Sequence, residues 1–101
     1  MGWKIVLSPH ADSDLENIVT YITRHNSEAA ARVGYALIAR AELLTQFPEM
    51  GRVVPEFGQR NLREIVYTSY RIIYRVRSTD QLIEIVRFWH AARGLPHIPK
   101  I

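Results

Sequence analysis

The sequence contains no cysteine, which excludes a disulfide framework and a thiolate metal site and fits a reducing cytoplasm. No run approaches the ~20 apolar residues of a membrane helix, so no membrane partner is expected. The opening Met1-Gly2-Trp3-Lys4 leads straight toward a structured segment without a cleavage-site pattern, which argues against a secretion signal. Four histidines, His10, His25, His90 and His97, form no HxxxH or HExxH spacing, so no metal and no other cofactor is expected. There is no GxSxG elbow, no glycine-rich phosphate loop and no recurring pair of carboxylates on one element. Nucleophilic and carboxylate-driven catalysis therefore lack a foothold. Lysine is scarce as well: eleven of the thirteen basic residues are arginine. That bias favours planar, bidentate contacts to carboxylate or phosphate.

What is present fits one domain spanning residues 1–101, without internal repeats. The densest signal runs from Leu62 to His90. Leu62–Tyr67, Tyr70–Arg77 and Leu82–His90 are rich in β-branched and aromatic residues and are separated by short polar gaps. Gaps of that length permit hairpins but not crossovers, so the three form an antiparallel meander. The middle run alternates Ile72, Tyr74 and Val76 with Arg71, Ile73, Arg75 and Arg77. One face is thus apolar and the other holds three guanidinium groups, free to meet an anionic partner.

Ahead of the meander, Trp3–Leu7 reads as a strand. Ser8-Pro9 then caps and starts a helix whose residues Ala11, Leu15, Ile18, Val19 and Ile22 make an apolar stripe, fading near Arg24-His25. Asp12, Asp14 and Glu16 read as dipole and solvation charges on that helix. Asn26-Ser27 caps a second helix, with Ala30, Val33, Leu37, Ala41 and Leu44 inward as far as Phe47, where Pro48 stops it. Tyr35, Ile38 and Ala39 lie outside the stripe and leave surplus apolar surface for a partner. Val53 to Asn61 reads as an irregular linker, and Leu95–Ile101 as a tail kept extended by two prolines. The fold class is α+β in the order β-α-α-β-β-β. A helical hairpin covers one face of a small, largely antiparallel sheet, and the other face stays open. Leu15, Ile18, Val33, Leu37 and Leu44 are expected to pack on Ile72, Tyr74 and Val76.

Basic character concentrates in the second half: residues 1–50 carry four basic and six acidic groups, residues 51–101 nine and four. Arg63, Arg71, Arg75, Arg77, Arg87 and Arg93 interleave with Tyr67, Tyr70, Tyr74 and Trp89, a combination used to grip nucleic acid or a protein hot spot. His90 ends the last strand beside arginines. It serves either as an acid–base group or as a hydrogen-bond partner of the C-terminal turn.

Pro48-x-x-Gly51-Arg52, Leu62-Arg-Glu, Tyr70-Arg-Ile-Ile-Tyr74 and Ile83-Glu-Ile-Val-Arg-x-x-His90-x-x-Arg93 together resemble the RelE/ParE superfamily, the toxic halves of type II toxin–antitoxin pairs, also called plasmid stabilisation proteins. The Ala11-x-x-Asp14-Leu15-x-x-Ile18 opening of the first helix fits as well. The resemblance implies a cytoplasmic toxin bound in a hetero-oligomer by a cognate, ribbon-helix-helix-like (ParD-type) antitoxin. RelE-like members resemble ribosome-dependent mRNA endoribonucleases, and ParE-like members resemble inhibitors of DNA gyrase without accepted catalytic residues. In the RelE-like alternative, Arg63, Arg71 and His90 are the catalytic candidates. However, Glu64 stands where positive charge is expected, and Phe88, Trp89 and His90 occupy the region of the late catalytic tyrosine. These departures, with the Arg87-x-x-His90-x-x-Arg93 ending, favour the ParE-like branch with no catalytic residue. Its expected target-binding residues are Arg71, Arg87, Trp89, His90 and Arg93. Expected antitoxin contacts are Tyr35, Ile38, Arg75 and Arg77. A third reading is an antitoxin-binding module on the same fold that has lost its toxicity.

Overall fold

A computed structural model describes residues 2–99. Met1, together with Lys100 and Ile101 at the end of the expected tail, lies outside the described residues. Strand β1 is Lys4–Leu7, helix α1 Pro9–Thr23, helix α2 Ser27–Glu42, and β2 to β5 are Arg52–Val53, Leu62–Tyr67, Tyr70–Arg77 and Leu82–His90. They form a five-stranded sheet in the order β1-β5-β4-β3-β2. Only the β1–β5 pair is parallel. The α+β class and the meander agree with the sequence reading.

Local chemistry explains the helix starts. Ser8 Oγ accepts from the Ala11 amide at 3.1 Å and donates to the Val86 carbonyl at 3.0 Å, so one hydroxyl caps α1 and ties it to β5. Asn26 Oδ1 accepts from the Ala29 amide at 3.0 Å and opens α2. The second helix is shorter than its apolar pattern predicts. It ends at Glu42 and tightens into a 3-10 turn over Leu43–Thr45, ahead of Pro48.

The helical hairpin buries its inner stripe on one sheet face, the helix face. Ala11, Leu37, Ala41 and Leu44 meet Ile72, Tyr74, Val76, Ile83, Ile85 and Phe88, while Leu15, Ile18 and Val33 pack at the margin. Tyr74 is fully buried, and its hydroxyl accepts from the Gly51 amide at 3.0 Å. That approach leaves no room for a side chain: a Cβ on Gly51 would lie 2.6 Å from the Tyr74 hydroxyl oxygen. Glycine in Pro48-x-x-Gly51-Arg52 is therefore a packing requirement.

Two expectations need correction. The linker is not wholly irregular, because Arg52 and Val53 pair with Glu64 and Arg63 and make a fifth strand. Two residues carry too little alternation to register as a strand. Nor is the second sheet face open. Val54, Leu62, Ile73, Val86 and Trp89 form a smaller core there, with Ile98 of the tail packed on it. The Trp89 indole donates to the Gly94 carbonyl at 3.1 Å and Arg87 Nη1 to the His97 carbonyl at 3.0 Å, so the tail is held across what is here called the tail face.

Candidate functional site

The alternation of β4 does place Arg71, Arg75 and Arg77 on the tail face, but none of them is free. Arg71 Nη1 and Nη2 donate to both Glu56 carboxylate oxygens at 2.8 and 2.7 Å, and its Nε donates to Glu64. Glu64 also accepts from Arg52 Nε at 2.7 Å, and its side chain is fully enclosed. Its charge, which stands where the RelE-like resemblance expects a positive one, is thus spent inside the protein. Arg71, by the hydrogen bonds it donates to Glu56 first and Glu64 second, is held more firmly charged than an ordinary arginine. Its guanidinium in turn holds the Glu56 carboxyl down from 4.5 to about 2. Glu84 takes Arg77 at 2.7 Å and lies 3.7 Å from Arg75.

Arg87 is the most deeply committed. Its Nε and Nη2 reach both oxygens of Asp14 at 2.7 Å, and Asp14 also accepts the Phe88 amide at 3.1 Å. β1 pairs with β5 only from Leu82 to Ile85, so beyond that point the Asp14 side chain substitutes for a neighbouring strand. Both partners are buried. The Asp14–Arg87 pair therefore links α1, β5 and, through Arg87, the tail, and Asp14 is not the solvated dipole charge expected from sequence. Its position inside the stripe Ala11, Leu15, Ile18 was the available signal: a carboxylate on an inward face needs a cation. Trp89 is buried beneath two guanidinium groups, with Arg87 4.8 Å and Arg93 3.9 Å from its ring centroid.

The structure does not bring Arg63, Arg71 and His90 together. Arg71 lies opposite Trp89 and faces the tail side, whereas Tyr70 and His90 are paired one residue earlier and face the helices. Arg63 lies opposite Tyr74, four residues or about 13 Å along the strand from Tyr70. It donates to the Arg60 and Gly51 carbonyls. His90 Nδ1 accepts from the Ala92 amide at 3.1 Å, and the ring meets Tyr70 edge-on at 5.1 Å.

The antitoxin candidates divide as well. Tyr35 and Ile38 line a groove of about 300 Å³ between the helices, with Leu15, Val19 and Gly34. Tyr35 is 78% exposed, the most open of the large hydrophobic residues described. Arg75 and Arg77 lie across the sheet from it. A larger recess of about 470 Å³, bounded by Trp3, Phe47, Met50 and Val76, was not anticipated from sequence. Phe47, expected at the end of the α2 inner face, lies beyond the helix and lines this recess. No group of His, Asp and Glu side chains suited to a metal occurs among the described residues. No described helix is long and apolar enough to cross a membrane.

This geometry has relatives. The family model for the ParE toxin of the type II toxin–antitoxin system parDE matches residues 5–95. Toxin RelE2 of Caulobacter vibrioides is 36% identical over 90 residues, covering 89% of this chain and 97% of the relative. Toxin RelE1 of the same organism is 27% identical, covering 89% and 95%. Among solved structures, the chromosomal ParDE system of P. aeruginosa superposes with a TM-score of 0.71 at 19% identity, over 87% of this chain and 95% of that one. The RelBE2 complex of Mycobacterium tuberculosis gives 0.67 at 17% identity, over 89% and 99%. The chain belongs to the ParE toxin family, a branch of the RelE/ParE superfamily of type II toxin–antitoxin toxins.

Proposed function

We propose that this toxin acts by binding DNA gyrase without itself catalysing a reaction, and that a cognate antitoxin neutralises it. The observation that carries this reading is the position of Arg71. Phosphate cleavage needs a free cation and a proton-transfer group aimed at one point. Here the Arg71 fork is filled by Glu56 and Glu64, and His90 faces away on the other side of the sheet. A binding protein needs no such convergence. The family match favours the same branch. The names of the relatives favour a second reading, a ribosome-dependent endoribonuclease, because both are called RelE. In that case the Glu56 loop must swing away to release Arg71.

For the antitoxin, the helical groove under Tyr35 and Ile38 suits the apolar face of a helix. Reaching Arg75 and Arg77 then requires a chain that wraps to the opposite side of the sheet. The solved neighbours ParDE and RelBE2 are toxin–antitoxin systems, which supports such a partner.

Purified toxin should inhibit gyrase supercoiling and leave mRNA uncut on programmed ribosomes. His90→Ala should weaken gyrase inhibition only modestly. Ile38→Asp should impair rescue by the antitoxin while gyrase inhibition persists. Ribosome-dependent cleavage that collapses by ~10²–10⁴ in His90→Ala, the worth of an acid–base group, would replace this reading with the nuclease.

A further inference from the structure

One cleft is separate from the helical groove and touches the arginine–carboxylate pairs at Asp14. It opens on the helix side where α1 meets the ends of β4 and β5, and encloses about 240 Å³. Phe88 and Ile18 supply apolar surface, Asn17 and Tyr21 come from α1, Tyr70 and His90 from the strand ends, and Arg93 from the following turn. The Asp14 carboxylate at its edge is committed to Arg87 and the Phe88 amide, so it offers no free negative charge. Each of the remaining polar groups can donate a hydrogen bond. Burial, and Tyr21 nearby, hold the Tyr70 hydroxyl above its ordinary pKa, so it keeps its proton. His90 accepts through Nδ1, which leaves the proton of the neutral ring on Nε2. Arg93 is stacked over Trp89 and meets no carboxylate among the described residues.

We propose that this cleft seats a single acidic side chain, aspartate or glutamate, of a protein partner, bound by Tyr70, His90 and Arg93. A nucleic-acid backbone fits poorly. Its affinity grows with the number of phosphates neutralised, and Arg71, Arg75, Arg77 and Arg87 are already spent on Glu56, Glu64, Glu84 and Asp14. One cation among neutral donors recognises a point charge. The proposal rests on the reading that the toxin binds a protein target, and names the chemistry that target presents.

N-acetylglutamate, inorganic phosphate and a short oligothymidylate should each be titrated into the ¹⁵N-labelled protein. The Arg93 Nε–H and His90 ring signals report on the cleft. N-acetylglutamate should shift both saturably, and Tyr70→Phe, which removes one oxygen, should weaken that response at an unchanged melting temperature. Arg93→Gln should weaken binding to immobilised gyrase roughly ten- to hundredfold, as loss of a charged hydrogen bond does, with partial recovery in Arg93→Lys. Absence of shifts with N-acetylglutamate overturns the proposal. Tighter binding of phosphate or oligothymidylate at these signals overturns it too, in favour of nucleic acid. Saturable N-acetylglutamate shifts from a protein that leaves gyrase untouched uphold the cleft and refute the gyrase reading.

Discussion

The two faces of the sheet solve the same problem in opposite ways. On the helix face, Leu37, Leu44, Ile72 and Phe88 exclude water by apolar contact, and the buried Tyr74 hydroxyl is satisfied by the Gly51 amide. On the tail face the small cluster around Ile73 and Trp89 is framed by Arg52, Arg71, Arg75, Arg77 and Arg87, each paired with a carboxylate. Every buried side-chain polar atom described has a partner. A row of arginines on a strand thus need not be a ligand-seeking surface. It is neutral whenever other elements supply carboxylates at matching positions. The apolar face tolerates modest errors of packing, whereas the ionic face depends on each pair being complete.

That contrast can be broken most severely at Asp14. Asp14→Ala strands a buried guanidinium and an unpaired Phe88 amide, and should destabilise by ~3–5 kcal/mol in denaturant unfolding. Against the ~5–15 kcal/mol of a small domain, this threatens folding. A cost below ~1 kcal/mol would mean that Arg87 finds another partner or water. Leu37→Ala probes the apolar face. Leu37 is fully buried, so a loss of ~2–5 kcal/mol is expected. The comparison is sharpened by Glu56→Gln, which removes the outermost carboxylate of the ionic face. Its partly exposed pair should contribute no more than ~1 kcal/mol at neutral pH. Because the folded-state pKa is lowered from 4.5 to about 2, the stabilisation is present above 4.5 and is lost as pH falls toward 2. Acid titration followed by circular dichroism should show a shallower decline for Glu56→Gln in that window. Identical acid limbs would show that Glu56 does not hold Arg71 in solution.

The ion pairs differ in how far they could be foreseen. Arg75 and Glu84 are direct cross-strand neighbours, and Glu64 sits two residues along from the position opposite Arg71. Hairpin register alone places these carboxylates beside the arginines. Glu56 approaches from a loop and Asp14 from a helix 73 residues distant, and no local pattern aims either one. The same holds for the cleft under Arg93. Asn17 and Tyr21 sit a helical turn apart on α1, but only the docking of that helix puts them opposite Tyr70 and His90.

By itself the sequence determined the two helices, the strands other than the short β2, and the face that the helices cover. Helix caps, the 3.6-residue and two-residue periods, and the hairpin gaps act over a few residues, where chain connectivity limits the alternatives. Tertiary structure decided where β1 pairs, that the tail closes the second face, and which arginines are spent internally. These outcomes depend on contacts between groups far apart in the chain, which form together only when burial makes an unpaired charge too costly to leave.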